Sequence, residues 1–226
     1  MRPVSLVLLL AGALACESDT TIIPITVQWM DWPAAAIAGM PFRTRLVVSG
    51  VCAVDPAFHA GARADESAVT FAPYYLAARD PWIACIDLRS IDLLVSAIDT
   101  AGMAPGLPAD LPRTYEMRAS SMVYASAAAF DALPVRTFGD VTVRPPSPVE
   151  DPTLRRNAAG FVNLTRDALG CVWIRPGGLF APQAALVLEN PVDTAGLSGH
   201  FVRGYIDPVN PPVCGASRVF HLVSRN

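Results

Sequence analysis

Twenty-one prolines and fifteen glycines are scattered through the 226 residues, and they leave few intervals in which a long helix could grow. Hydrophobic residues make up 52% of the chain and charged residues 16%, so it is too apolar to remain disordered. Short extended segments around a sizeable core are what remains. An all-β class follows.

The strands can be placed by period-two alternation and by the turn residues between them. Residues 23–29 and 42–52 come first. In the second, Phe42, Thr44, Leu46, Val48, Gly50 and Cys52 share one face while Arg43 and Arg45 point the other way. Segments 69–76, 83–88, 91–98, 114–119 and 135–143 continue the series, broken by Asp80-Pro81 and by a Pro/Gly-rich loop over 102–112. The Ala-rich stretch 124–132 between the last two fits either a helical turn or a hairpin tip. Residues 144–152 hold four prolines, favour extended polyproline II, and mark a boundary. Beyond it, segments 160–165, 170–175, 184–189, 199–206 and 218–224 read as five strands in about 70 residues, the size of a small closed barrel.

The pieces Ala38-Gly39-Met40-Pro41-Phe42, Val69-Thr70-Phe71-Ala72-Pro73, Thr114 to Ala119 and Val135 to Val143, with Cys52 and Cys85 between them, resemble immunoglobulin-like domains of bacterial surface lipoproteins. The order Gly160-Phe161-Val162, Gly170-Cys171-Val172-Trp173-Ile174, Leu186 to Glu189, Val202 to Ile206, Cys214 and Val219 to Val223 resembles the OB-like barrels of such lipoproteins. Those barrels carry one cysteine after the first turn and one before the last strand. The expected organisation is a signal peptide over 1–15, a tether over 16–21, an immunoglobulin-like β-sandwich over 22–144, a Pro-rich linker over 145–157 and an OB-like β-barrel over 158–226.

The start of the chain carries an address. Arg2 is followed by the apolar run Val4 to Leu14, and Ala13-Leu14-Ala15 stands before Cys16. A run of about eleven residues is well short of the roughly twenty that span a bilayer, so cleavage is expected. A cysteine after small residues resembles the lipobox of bacterial lipoproteins, which implies lipidation of Cys16 and a membrane anchor. Ordinary secretion is the alternative, since Ala13-x-Ala15 also suits a general signal peptidase. Cysteine parity favours lipid, because removing Cys16 from five leaves Cys52, Cys85, Cys171 and Cys214 as an even set for an oxidising compartment. In the family, the residue after the lipidated cysteine sorts the protein, and Glu17 in place of Asp implies the outer membrane.

Four cysteines allow three pairings. Cys52 with Cys85 and Cys171 with Cys214 keep each bridge inside one domain, and no Cys-x-x-Cys pair or His at ligand spacing points to redox or metal chemistry. All seventeen basic residues are Arg, which removes Schiff-base chemistry and a P-loop lysine, and a net charge of −3 gives no footprint for nucleic acid.

Candidate sites are sparse. His200 and His221 fall on neighbouring expected strands and could face one another, though three histidines in all starve acid–base schemes. Gly196-Leu197-Ser198-Gly199-His200 lacks the Gly-x-Ser-x-Gly spacing and reads as a turn. Asp55, His59, Asp65 and Glu66 share a long loop whose oxygens suit a hard cation, but their spacing matches no known cation loop, and a solvated acidic loop is the simpler reading. Asn163-Leu164-Thr165 is a glycosylation sequon inside an expected strand. Trp29, Trp32, Trp82, Trp173, Tyr74 and Tyr75 could stack on a glycan or fill the core. No catalytic residues, metal or cofactor are expected. The leading expectation is a non-enzymatic structural or protein-interaction module in the cell envelope, and the alternative is a polysaccharide- or peptidoglycan-binding one.

Overall fold

The computed structural model describes residues 20–49, 58–59, 62–65, 67–78, 88–95, 112–120, 134–145, 155–176, 186–188, 194 and 197–225. Every regular element among them is a strand, so the chain is all-β: β1 (Thr20–Pro24), β2 (Thr26–Pro33), β3 (Ala35–Ile37), β4 (Phe42–Ser49), β5 (Phe58–His59), β6 (Ala62–Ala64), β7 (Ala68–Phe71), β8 (Tyr74–Ala78), β9 (Leu88–Val95), β10 (Arg113–Ala119), β11 (Arg136–Arg144), β12 (Arg156–Arg166), β13 (Val172–Pro176), β14 (Leu186–Leu188), β15 (Phe201–Val213) and β16 (Ala216–Arg225).

Proline punctuation is finer than the alternation suggests. The segment expected as one strand over 23–29 divides at Pro24 into β1 and β2, and the one over 69–76 divides at Pro73 into β7 and β8. A proline has no N–H to donate and restricts the residue before it, so the ladder ends there. In each case the two halves enter different sheets: β1 and β8 pair with each other in a three-stranded sheet, while β2 joins the large sheet and β7 the five-stranded one. Thr20 and Thr21, expected in the tether, belong to β1.

The sandwich is formed by β2, β4 and β9 on one side and β3-β11-β10-β7-β6 on the other. Met30, Trp32, Leu46 and Val48 face Phe71, Tyr115, Met117, Phe138, Val141 and Val143 in one core. At about 25 cal/mol per Å² of apolar surface, the fully buried Trp32, Tyr115 and Phe138 are among its largest contributors.

The last five strands close on themselves. Their order is β12-β13-β14-β16-β15, and β15 pairs back onto β12, with β14 parallel to β16. Thr165, Trp173, Val187, Val219 and Asp207 lie opposite one another in turn, and Asp207 falls level with Arg155, one residue before the Arg156–Ile206 pair. From Thr165 to Arg155, one circuit therefore climbs ten residues, a large stagger for five strands that tilts them steeply and leaves an interior wide enough only for side chains. Val162, Val172, Ile174, Leu186, Leu188, Val202, Ile206 and Phe220 fill it. The connectivity is that of OB-like barrels.

Strand β12 also pairs along its first half with β2, from Arg156↔Pro33 to Gly160↔Trp29. The large sheet thus runs from barrel to sandwich without a break, in the order β13-β14-β16-β15-β12-β2-β4-β9. β2 is buried on both faces: Met30 and Trp32 serve the sandwich core, while Trp29 serves the barrel core and packs on Phe220 at 5.5 Å between ring centroids. The pairing needs backbones in close approach at Gly160, whose φ is +147° and where a Cβ would sit 2.2 Å from the Gln28 carbonyl oxygen. Residues 146–154 of the Pro-rich linker, the Ala-rich stretch 124–132, and Cys16, Cys52 and Cys85 lie outside the described residues.

Candidate functional site

Among the described residues, the surface with the most cross-links is one end of the barrel, where the β12–β13 turn meets the tip of the β15–β16 hairpin. Asp167-Ala168-Leu169-Gly170 has Asp at the first and Gly at the fourth place of a turn, the pattern that favours a tight reversal. Asp167 Oδ1 accepts from the backbone N–H of Leu169 and of Cys171, each at 2.9 Å, and Oδ2 accepts from Trp173 Nε1 at 2.8 Å. The backbone adds Asp167 N–H to the Cys171 carbonyl and Gly170 N–H to the Asp167 carbonyl, both at 3.1 Å. The Trp173 indole, followed by these backbone donors, holds the Asp167 carboxyl below the usual aspartate range despite an opposing desolvation.

Cys171 is bonded to Cys214, with Cα atoms 6.2 Å apart. Cys214 and Gly215 form the two-residue connection between Val213 and Ala216, and both have positive φ, +52° and +75°. Two such residues in succession are what the right-handed twist of a hairpin demands, and a non-glycine residue accepts this conformation at some cost. The bridge therefore joins the turn after the first barrel strand to the turn before the last. It is the pairing expected for these two cysteines.

Between the two turns, Trp173 projects from the outer face of β13. With Val209 it packs over Val187, Ala216 and Val219, a small cluster separate from the barrel interior. Trp173 is half-buried, and each of the two turns carries an exposed apolar side chain: Leu169 at the tip of the first is 88% exposed and Val213 beside the second is 41% exposed. Apolar side chains on a cross-linked, hydrogen-bonded frame lose little backbone freedom on binding.

Other candidates are placed differently. His200 is exposed in the turn before β15, while His221 lies opposite Tyr205 on β16, so the two histidines do not face one another. His221 instead stacks on Tyr205 at 4.5 Å, and its Nε2 lies 3.5 Å from Asp207 Oδ2. Arg155 donates to both Asp207 oxygens, at 2.9 and 3.0 Å, and covers Tyr205 at 4.4 Å. The Gly196–His200 segment is a turn in its described part, closed by His200 N–H to the Leu197 carbonyl, and Ser198 Oγ accepts from Leu164 N–H.

Trp29 and Trp32 are core residues at 1% exposure and cannot stack on a ligand; Tyr74 is half-buried, and Trp82 lies outside the described residues, as does the Tyr75 side chain. Of the acidic loop, Asp55 and Glu66 also lie outside, and His59 is in β5 opposite Tyr74. Asp65 Oδ1 accepts from Ser67 N–H, Ala68 N–H and the Ser67 hydroxyl. Burial pushes the Asp65 carboxyl up, but these donors and nearby Arg118 outweigh it and bring it below the ordinary value. Among the described residues no three His, Cys, Asp or Glu side chains gather as a metal site.

Asp167 and Leu169 were not among the residues that the sequence singled out, although the Asp-x-x-Gly turn pattern carries the signal for the first. No protein-family model, curated protein or solved structure matches this chain.

Proposed function

We propose that the chain is an envelope-anchored lipoprotein acting as a non-enzymatic interaction module. The lipid on Cys16 holds it at the membrane, with the outer membrane favoured by Glu17, and the sandwich carries the barrel. The clamped end of the barrel, with Leu169, Trp173 and Val213, is the face offered to an envelope protein. The observation that supports this reading best is the Cys171–Cys214 bridge between the two turns that frame Trp173. OB-like barrels bind through the strand 2–3 face and the loops joining strands 1 to 2 and 4 to 5, and here those are β13–β14 and the two bridged turns.

The first test is placement of a photo-crosslinking residue at Leu169 in native envelopes, with the same residue at Leu94, an exposed position on β9, as control. The expected result is a discrete protein adduct from Leu169 and none from Leu94; equal adducts from both would count against the face. Metabolic labelling with a palmitate analogue tests the anchor, and label on both wild type and Cys16→Ser would overturn it. A polysaccharide ligand is the second reading. With Trp29 and Trp32 inside the core it rests on Trp173, and retention in a glycan-containing native gel that Trp173→Ala abolishes would favour it.

A further inference from the structure

A concavity lies between the two sheets of the sandwich, lined by residues of β2, β10 and β11. Its floor is buried: Val27 at the start of β2, Ala119 and Ser120 at the end of β10, and Phe138 in β11 are all at most 5% exposed. Its rim is Thr26, Pro134, Val135 and Arg136, all exposed. The volume is about 310 Å³, at the small end of the range of ligand sites.

Two irregularities in the facing sheets border it. Between Val27 and Trp29 the β2–β4 register slips, leaving Gln28 as an extra residue, and between Met117 and Arg118 the β10–β11 register slips, leaving Phe138 as an extra residue. A bulge bends its strand and re-aims the side chains beside it. Both bulges stand beside the recess, Gln28 next to Val27 and Phe138 in the floor itself.

The charge at the mouth is Arg136. Its guanidinium lies over the rings of Phe161 at 4.8 Å and Phe201 at 5.6 Å, and Phe201 packs in turn on Phe138 in the floor. Among the described residues no carboxylate pairs with it. Stacking occupies the flat face of a guanidinium and leaves its in-plane N–H donors for an acceptor. The rings thus fix a cation beside a recess whose floor carries Val27, Ala119 and Phe138 along with Ser120.

We infer that this cleft binds a small amphiphile with a single anionic head, the head on Arg136 and the apolar body over Val27, Ala119 and Phe138. A purely apolar ligand would not use the fixed cation, and a purely ionic one would leave the recess uncovered. A carboxylate and a phosphate head share the required chemistry.

The test is calorimetric titration of the full chain with decanoate and decyl phosphate below their micellar concentrations and with decanol below its solubility limit. At least one of the anions should bind about tenfold more tightly than decanol, as a charge-assisted hydrogen bond implies. The tighter anion identifies the head. Arg136→Gln should bring that anion to the level of decanol and leave decanol unchanged, while Arg136→Lys should keep most of the preference. Ala119→Leu, which fills the floor, should abolish binding of all three. Because Arg136 is exposed, an unchanged unfolding midpoint is expected for Arg136→Gln. Anions that bind no more tightly than decanol, or an anion preference that survives Arg136→Gln, would overturn the inference.

Discussion

Asp31 of β2 and Arg156 of β12, 125 residues apart in sequence, form an ion pair at the seam between sandwich and barrel. The side chains are only 6% and 22% exposed, and Arg156 Nη2 also donates to the carbonyls of Asp31 at 3.0 Å and Arg43 at 3.1 Å. One guanidinium therefore ties β12 to β2 and β4. Removing one partner of a buried pair leaves an uncompensated charge, so Asp31→Ala should cost about 3 kcal/mol in urea unfolding. Asp31→Leu combined with Arg156→Met should recover much of that. A loss under about 1 kcal/mol for the single variant would show that water screens the pair, as at exposed sites.

Gly160 should tolerate no side chain. Its backbone conformation disfavours one, and a Cβ would lie 2.2 Å from the Gln28 carbonyl oxygen and 2.5 Å from Trp29 Cα, both backbone atoms that cannot swing aside. Gly160→Ala is expected to lower stability by roughly 3 kcal/mol and to speed amide exchange in β2 and β12 together. Exchange raised in β12 alone would mean that the β2–β12 pairing does not depend on this close approach.

The barrel bridge closes a separation of 43 residues, for which the chain-entropy treatment gives about 4 kcal/mol. Cys171→Ser with Cys214→Ser should therefore loosen the barrel first. Exchange mass spectrometry is expected to show faster exchange over residues 167–176 and 213–219, with β10 and β11 still protected. Uniform loss of protection across both units would argue that the bridge supports the whole chain rather than its own end.

Asp167 makes the clamped end sensitive to acid. Its carboxyl titrates lower in the folded chain than the roughly 3.9 of an unfolded aspartate, so its contribution is complete above that value. The contribution is lost as the pH falls through the lower, folded-state pKa. Trp173 reports the change through its indole hydrogen bond to Asp167 Oδ2. An acid titration of tryptophan emission should show a step below about pH 4 in the wild type. In Asp167→Asn, where an amide can replace the oxygen facing the indole, the step should vanish; its persistence would assign it to another group.

What could be read from residues alone was whatever local chemistry decides. Proline and glycine punctuation excludes long helices, and period-two alternation places β4, β10, β11 and the barrel strands close to where they form. The Cys171–Cys214 bridge follows from keeping each cysteine pair inside one expected domain, while the two turns it joins came from the structure. Tertiary structure alone decided what β2 became. Nothing in Thr26 to Pro33 distinguishes a strand with one solvent face from one buried on both, because the second face is covered by β12, which lies more than a hundred residues away. The same holds for Asp31, whose carboxylate would suit a surface until Arg156 arrives beside it, and for Arg136, which stands at a recess only where β2, β10 and β11 come together. Strand formation depends on a residue and its near neighbours. Which strands pair, and which side chains then share a cleft or a charge, depends on partners that only the closed fold brings within reach.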